Sequence, residues 1–596
     1  MKEFFKYTLA TICGIITLGI VAGIIMMISF AGIVASGNAT TEIKENSVLV
    51  FKLNGAINER AEEGTPFDAL LGAADMSSMG LDDILTAIKK AKENDDIKGI
   101  YIEGGVTTFD SPATAQQIRD ALEDFKQSGK WIIAYADQYM QASYYVASVA
   151  DSLFINKTGM IDFKGMGGKG YYMTGLYEKI GVKYQCTRVG KYKSAVESVT
   201  RKDMSENDRE QRMAMYQGIW QHWLKQMAES RKVTAEQLNQ VADDSIMVFA
   251  NIDDYKAAKL IDGVMYPDAI KDIIKGKLGL GEDDKINQVM MSDMFNLPED
   301  KEDGGKIAIY YAYGEIVDQP LSSFSSDHAI IGSEVVEDLQ KLAKDEDVKA
   351  VVMRVNSPGG SAVASEQIWH AIKMLKEKKP VVVSMGGYAA SGGYMISAPA
   401  NYIVAEPTTV TGSIGIFGLI PNANELVSEK LGVTWDGVQT NKHTDYETNL
   451  VFGKDNDEEI KYMQSYVDRG YDTFLSIVAE GRGMTKEQVH EIAQGRVWVA
   501  TDALPIKLVD KIGSLNDAVK KAAELAECSE YYTAPYPEKP SWFEQLLAST
   551  EESKDTYLDE KMHEMLGDLY EPVIELRKDC QRNRLQARFP FATTIK

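Results

Sequence analysis

The chain has 596 residues, and 88 Asp and Glu against 64 Lys and Arg leave a net charge of −24, which argues against nucleic acid as the main partner. With 44% hydrophobic and 26% charged residues it has material for a sizeable core, and a largely disordered chain is excluded. Four distant cysteines (Cys13, Cys186, Cys528, Cys580) and six scattered histidines supply neither a disulfide framework nor metal-ligand spacing, so no metal site is expected.

The first predicted element is a membrane span. No charged residue lies between Tyr7 and Thr41, and the apolar stretch from Leu9 to Val34 exceeds the roughly 20 residues that cross about 30 Å of hydrocarbon as a helix. A cleaved signal peptide has an apolar region of only about 7 to 15 residues, so residues 1–45 read as a cytoplasmic tip and a retained anchor, with cleavage near Ala35-Ser-Gly37 left open. Lys2 and Lys6 precede the span, which predicts that the body lies on the extracytoplasmic side.

Downstream, the sequence repeats itself. Lys98-Gly-Ile-Tyr-Ile resembles Lys349-Ala-Val-Val-Met, 251 residues on, and Tyr144-Tyr-Val-Ala-Ser resembles Tyr394-Met-Ile-Ser-Ala at a spacing of 250. Ala228-Glu-Ser-Arg matches Ala479-Glu-Gly-Arg at 251, and Lys259-Leu-Ile-Asp and Lys507-Leu-Val-Asp close the two copies. Each copy alternates strand-like runs (Leu49 to Ile57, Trp131 to Ala134; Ile309 to Val317, Pro380 to Ser384) with helical stretches (Ala113 to Gln127; Ser365 to Lys378). That alternation predicts two α/β domains with parallel strands, at 46–275 and 306–530. Residues 276–305, rich in Gly, Asp, Glu and Lys, read as a linker, and 531–596 as a helical tail with apolar residues at helical spacing from Leu558 to Leu576.

Three mismatches between the copies point to chemistry. In the first copy alone, Gly190-Lys-Tyr-Lys193-Ser-Ala-Val-Glu supplies a lysine that would serve as a base if burial lowers its pKa, and otherwise is one more solvated lysine. The second copy alone has Asn356-Ser-Pro-Gly-Gly-Ser361, either a plain turn or a backbone N–H cradle for an oxyanion. It also has Tyr388-Ala-Ala-Ser391-Gly-Gly-Tyr394 after a buried-looking strand. There Ser391 is either a helix cap or a nucleophile on a strand-to-helix elbow with the Gly392 N–H beside it.

Together with Thr411-Gly-Ser-Ile-Gly-Ile-Phe-Gly, these segments resemble the long form of the bacterial signal peptide peptidase A family, also called protease IV, from the anchor to about Gly513. The resemblance implies tandem crotonase-like, Clp-protease-like α/β domains after the transmembrane helix, and a Ser-Lys dyad without metal or nucleotide. It makes Ser391 the nucleophile and Lys193 the base, with Lys191 a competing amine two residues earlier. Ser413 would orient the lysine, with Phe163 near its place in the first copy, and Gly359, Gly360 and Gly392 would form the oxyanion hole. It further implies signal peptides and other hydrophobic peptides as substrates, membrane lipid as partner through the anchor, the bacterial cytoplasmic membrane as location, and a homo-oligomer, a tetramer by resemblance. A crotonase-type acyl-thioester enzyme shares the fold and oxyanion turn but gives Ser391 and Lys193 no joint role. A non-catalytic scaffold would have no use for either.

Overall fold

The computed structural model describes residues 43–61, 79–295, 297, 304–319, 328–538 and 585–588, with isolated positions 6, 14 and 17. Apart from those isolated positions, the expected span from Leu9 to Val34 lies outside the described residues, among which no helix is long and apolar enough to cross a membrane.

The first unit is built on a parallel sheet. Its strands are β1 (Ser47–Asn58), β2 (Met79–Gly80), β3 (Ile97–Phe109), β4 (Trp131–Tyr139) and β5 (Ser152–Ile161). After β6 (Lys183–Arg188) leaves the sheet, β7 (Gly263–Val264) and β8 (Asn287–Met290) return to it. The order is β2-β1-β3-β4-β5-β7, with β8 also on β1. Both faces are covered by helices, so the strands are near-continuous apolar runs in which Phe51, Ile100, Ile102, Ile132 and Leu153 are buried. The helix Pro112–Lys126 begins with a Ser111 cap on the Thr114 N–H and a proline in its first turn, and it turns Ile118, Leu122 and Phe125 inward.

The second unit repeats the plan with β9 (Gly305–Tyr313), β10 (Glu315–Val317), β11 (Ala329–Ile331), β12 (Val348–Ser357), β13 (Gly359–Ser361), β14 (Val381–Ala390), β15 (Tyr402–Ala405) and β16 (Val410–Gly412). After β17 (Phe417–Asn422), it ends on β18 (Val497–Val499), β19 (Lys511–Ile512) and β20 (Tyr531–Tyr536). The repeat extends to detail. Thr234 with Gln237 and Thr485 with Gln488 form the same capping box at matched helix starts, and Glu206–Arg231 and Asp457–Arg482 are helices of equal length.

Two stretches differ from the sequence reading. The acidic, lysine-rich segment 276–305 is not a free connection, because β8 within it pairs in parallel with Ser47–Val50 of β1. Residues 531–536, read as the start of a helical tail, form β20 in parallel on β9. Both corrections have one cause: the first strand of each sheet has an edge of unpaired backbone groups, and each copy covers it with its own last strand. The apolar positions from Leu558 to Leu576 lie outside the described residues. The described end of the tail, β21 (Leu585–Arg588), is also a strand, antiparallel to β13 and β17.

A smaller sheet joins the units. β6 of the first unit pairs antiparallel with β17 of the second, from Arg188 opposite Phe417 to Lys183 opposite Asn422. Tyr388, Val410, Val497 and Val499 of the second unit are buried in the first unit's core, so the two halves share one interior.

Candidate active site

The β6–β17 pairing decides what meets at the junction. Lys193 follows the end of β6 by five residues and Ser413 precedes the start of β17 by four, so the antiparallel register brings the two together. The lysine loop is then pressed onto the second unit. The Tyr192 N–H donates to the Gln494 carbonyl at 3.0 Å, and the Tyr192 carbonyl accepts from Gln211 Nε2 at 2.9 Å. Glycine is required on both sides of this contact. A Cβ on Gly190 (φ 96°) would come within 2.3 Å of the Gln494 carbonyl group, and one on Gly495 (φ 81°) within 2.7 Å of Lys193 Cβ.

Lys193 is fully buried, and its Nζ lies 2.8 Å from Ser391 Oγ, 3.0 Å from Ser413 Oγ and 3.0 Å from the Ser413 carbonyl oxygen. Desolvation holds its pKa well below the ordinary lysine value. The three contacts suit a neutral amine with two N–H groups and a lone pair. The carbonyl can only accept, Ser413 Oγ takes the second N–H, and the lone pair is left facing the Ser391 hydroxyl.

Ser391 stands between β14, buried along its whole length, and the short helix Gly392–Ser397. Its backbone is at φ 56°, ψ −116°, a region that costs a non-glycine residue about 1–3 kcal/mol and that clusters at functional sites. The turn is fixed by the Ser391 N–H donating to the Gly412 carbonyl at 2.8 Å and by Met395 N–H returning to the Ser391 carbonyl at 2.9 Å. Ser413 is also at positive φ, 50°, with its N–H on the Arg496 carbonyl at 2.7 Å. Lys191 is kept apart from this group; its Nζ lies over the Tyr192 ring, 5.0 Å from the centroid.

The three glycines are not equivalent. The Gly359 N–H (φ 96°) donates to Ser357 Oγ at 3.2 Å and so already has a partner. Gly360 is wedged against β10, where a Cβ would meet the Ile316 carbonyl oxygen at 2.0 Å. Gly392 opens the helix after the serine, and a Cβ on the next residue, Gly393, would fall 2.6 Å from the Ser357 carbonyl oxygen, which packs the elbow directly on the Pro-Gly-Gly turn. Alongside runs the chain's own segment 585–588, with Gly359 opposite Arg588, Ser361 opposite Gln586 and Phe417 opposite Gln586. Among the described residues no cluster of three or more His, Cys, Asp or Glu side chains is arranged to hold a metal.

The packing roles of Gly190 and Gly495, and the residues behind Asn356, escaped the sequence reading. For the last group one signal was present: Arg354 interrupts the apolar run Val351-Val-Met-Arg-Val, and a charge inside a buried strand implies a partner.

The model of peptidase family S49 matches residues 124–279 and 373–529, one segment in each unit, and a Clp protease family model matches 325–408. The chain is 35% identical to Protease 4 of Salmonella typhi over 86% of this chain and 81% of that one. It is 33% identical to Protease 4 of Haemophilus influenzae over 88% and 87%, and 30% identical to a chloroplastic serine protease SPPA of Arabidopsis thaliana over 81% and 70%.

Proposed function

This chain belongs to peptidase family S49 and is a serine-type peptidase with a Clp-protease-like α/β fold; from that premise we propose that it cleaves peptides through a Ser391–Lys193 dyad. The observation that carries this reading is the buried Lys193 amine, 2.8 Å from a serine hydroxyl held on a strained elbow. Neutral Nζ takes the proton as Ser391 Oγ attacks the scissile carbonyl. Ser413 fixes the amine through its hydroxyl and carbonyl oxygens. The tetrahedral oxyanion is held by the backbone N–H groups of Gly360 and Gly392, with Gly359 shaping the turn through Ser357. The Lys193 ammonium then protonates the leaving amine, and the same lysine activates the water that hydrolyses the acyl-serine ester.

An extended peptide is the substrate form best matched to the site, since the gap between β13 and β17 accommodates one strand and is occupied by residues 585–588. Signal peptides and other hydrophobic peptides fit this reading when the uncharged stretch Tyr7 to Thr41 is taken as a single-pass anchor in the bacterial cytoplasmic membrane. The body would then face the extracytoplasmic side, and a homo-oligomer, a tetramer in the simplest case, would sit on the membrane.

The test is covalent. A fluorophosphonate probe added to the full-length, detergent-solubilised protein should label Ser391 and abolish peptide hydrolysis in step. Labelling elsewhere, with Ser391 unmodified in the inactivated enzyme, contradicts the assignment.

A further inference from the structure

A polar network joins the two units behind the Pro358-Gly359-Gly360 turn. At the end of β12, Asn356 uses its whole amide: Nδ2 donates to Glu59 Oε2 at 2.9 Å and to Asp110 Oδ2 at 2.8 Å, and Oδ1 accepts the Tyr388 N–H at 3.0 Å. Its backbone carbonyl accepts from the Gly314 N–H at 3.0 Å. Ser357 continues the chain of bonds, donating to the Gly314 carbonyl at 2.7 Å and accepting from Gly359 N–H. Glu59 and Asp110 belong to the first unit, one residue beyond β1 and β3, while Tyr388 lies three residues before Ser391. One side chain therefore ties together the strand leading to the turn, the strand leading to the nucleophile and two carboxylates of the other unit.

The carboxylates are themselves held in place. Arg354 Nε donates to Glu59 Oε1 at 2.6 Å, and the same guanidinium reaches Ser384 Oγ at 3.0 Å and Gln117 Oε1 at 2.9 Å. The Thr114 hydroxyl donates to Asp110. The backbone is shaped for the contact: a Cβ on Gly386 would lie 3.0 Å from Glu59 Oε2, and one on Gly387 would lie 2.2 Å from Ser111 Oγ. Desolvation, then the charge of Glu59, pushes the Asp110 carboxyl up to about 7. Bringing such groups out of water is costly even when they are paired, so the network calls for a role beyond holding the units together. The copies do not share it, because at the 251-residue offset Arg354 and Asn356 correspond to Glu103 and Gly105.

We propose that Glu59 and Asp110 are positioning residues for peptide hydrolysis, acting through Asn356 to hold the Pro358-Gly359-Gly360 turn in register with Ser391. The first unit then supplies the setting of the oxyanion turn as well as the base. This rests on the reading of that turn as part of the oxyanion hole.

The experiment follows the acylation burst of a peptide ester with the full-length enzyme. Asn356→Ala should slow acylation about 10- to 100-fold while KM stays within about twofold. Asp110→Ala and Glu59→Gln should each slow it in the same sense, and Asp110→Ala added to Asn356→Ala should cost nothing further, because both act through one contact. Asp110→Asn, which keeps an acceptor oxygen for Asn356, should recover at least about half of the parent rate. Parent-like acylation in Asn356→Ala, losses that multiply in the double variant, or a loss carried by KM would each overturn the proposal. Asn356→Ala leaves Glu59 on Arg354 and Asp110 on Thr114, so it orphans no buried charge and decides the matter even if Asp110→Ala does not fold. Ser391→Ala is run alongside. Turnover surviving there removes the nucleophile, whereas an inactive Ser391→Ala beside a parent-like Asn356→Ala removes only the positioning role.

Discussion

In the first unit Arg231 grips Asp262 through two nitrogens, at 2.8 and 3.0 Å, and in the second Arg482 grips Asp510 at 2.6 and 3.1 Å. Tyr144 donates to the Leu260 carbonyl just as Tyr394 donates to that of Leu508. The elbows beside these matched bonds have diverged. In the first unit the cap of the helix Gln141–Ala147 is Met140 in relaxed extended geometry (φ −70°, ψ 155°), and the Ser143 hydroxyl is buried with no partner among the described residues. In the second the cap is Ser391 at positive φ, bonded to lysine. Where one unit has Ser413 in contact with Lys193 Nζ, Phe163 fills the other's core, 5.8 Å centroid to centroid from Tyr144. Thr444, the ungapped counterpart of Lys193, is exposed. Duplication kept the bonds that hold each unit together, and of the two elbows only the one that meets Lys193 has its cap residue at positive φ.

The widest separation between the copies should come from their serines. Ser391→Ala is expected to lower kcat for a peptide ester by about 10⁴-fold or more, while Ser143→Ala leaves activity within about twofold and is neutral or stabilising by up to about 1 kcal/mol, since it removes an unpaired buried hydroxyl. Steady-state kinetics and thermal melts of the two proteins check this, and comparable losses would erase the asymmetry.

The lysines give the next contrast. Lys193→Arg should be inactive because a guanidinium stays protonated, whereas Lys191→Ala should keep most activity. As the proposed base, Lys193 would react as the neutral amine, so the fraction competent for catalysis would grow as pH rises through its lowered pKa. The acid limb of kcat/KM should therefore fall well below the range of an ordinary lysine. A limb near 10, or one that moves in Lys191→Ala, would transfer the role.

Ser413→Ala tests a smaller effect. It removes one of the two acceptors that fix the amine but leaves the carbonyl, so kcat should drop about 10- to 100-fold without abolishing turnover. Unchanged kcat would leave the hydroxyl no orienting role.

The smallest expected difference concerns the shared clamps. Arg231→Ala and Arg482→Ala should each cost about 1–2 kcal/mol, a modest value because both aspartates are partly exposed. The two melting shifts should agree within about 2 °C. A strongly unequal pair would mean that the halves are not held by equivalent bonds.

Local sequence was enough for the repeat and for the central strands and helices of each copy, since apolar periodicity, capping residues and small-residue turns act within a few positions of themselves; for Ser391 it left a helix cap and a nucleophile both open, and only the family resemblance chose between them. Local sequence also separated the copies, because Pro358-Gly359-Gly360 and Lys193 stand where their counterparts are Thr107 or Thr444 and the like, differences visible in register. The edge strands β8 and β20 escaped it, as charged and glycine-rich flanks look like a linker until the unpaired edge they cover is known. What only tertiary structure decided is convergence. Lys193 and Ser391 are 198 residues apart, and Asn356 and Glu59 are 297 apart. No local preference brings such groups within 3 Å. The antiparallel β6–β17 register and the glycine contacts at Gly190, Gly387 and Gly495 do, because they let the two units approach more closely than a side chain at these positions would allow.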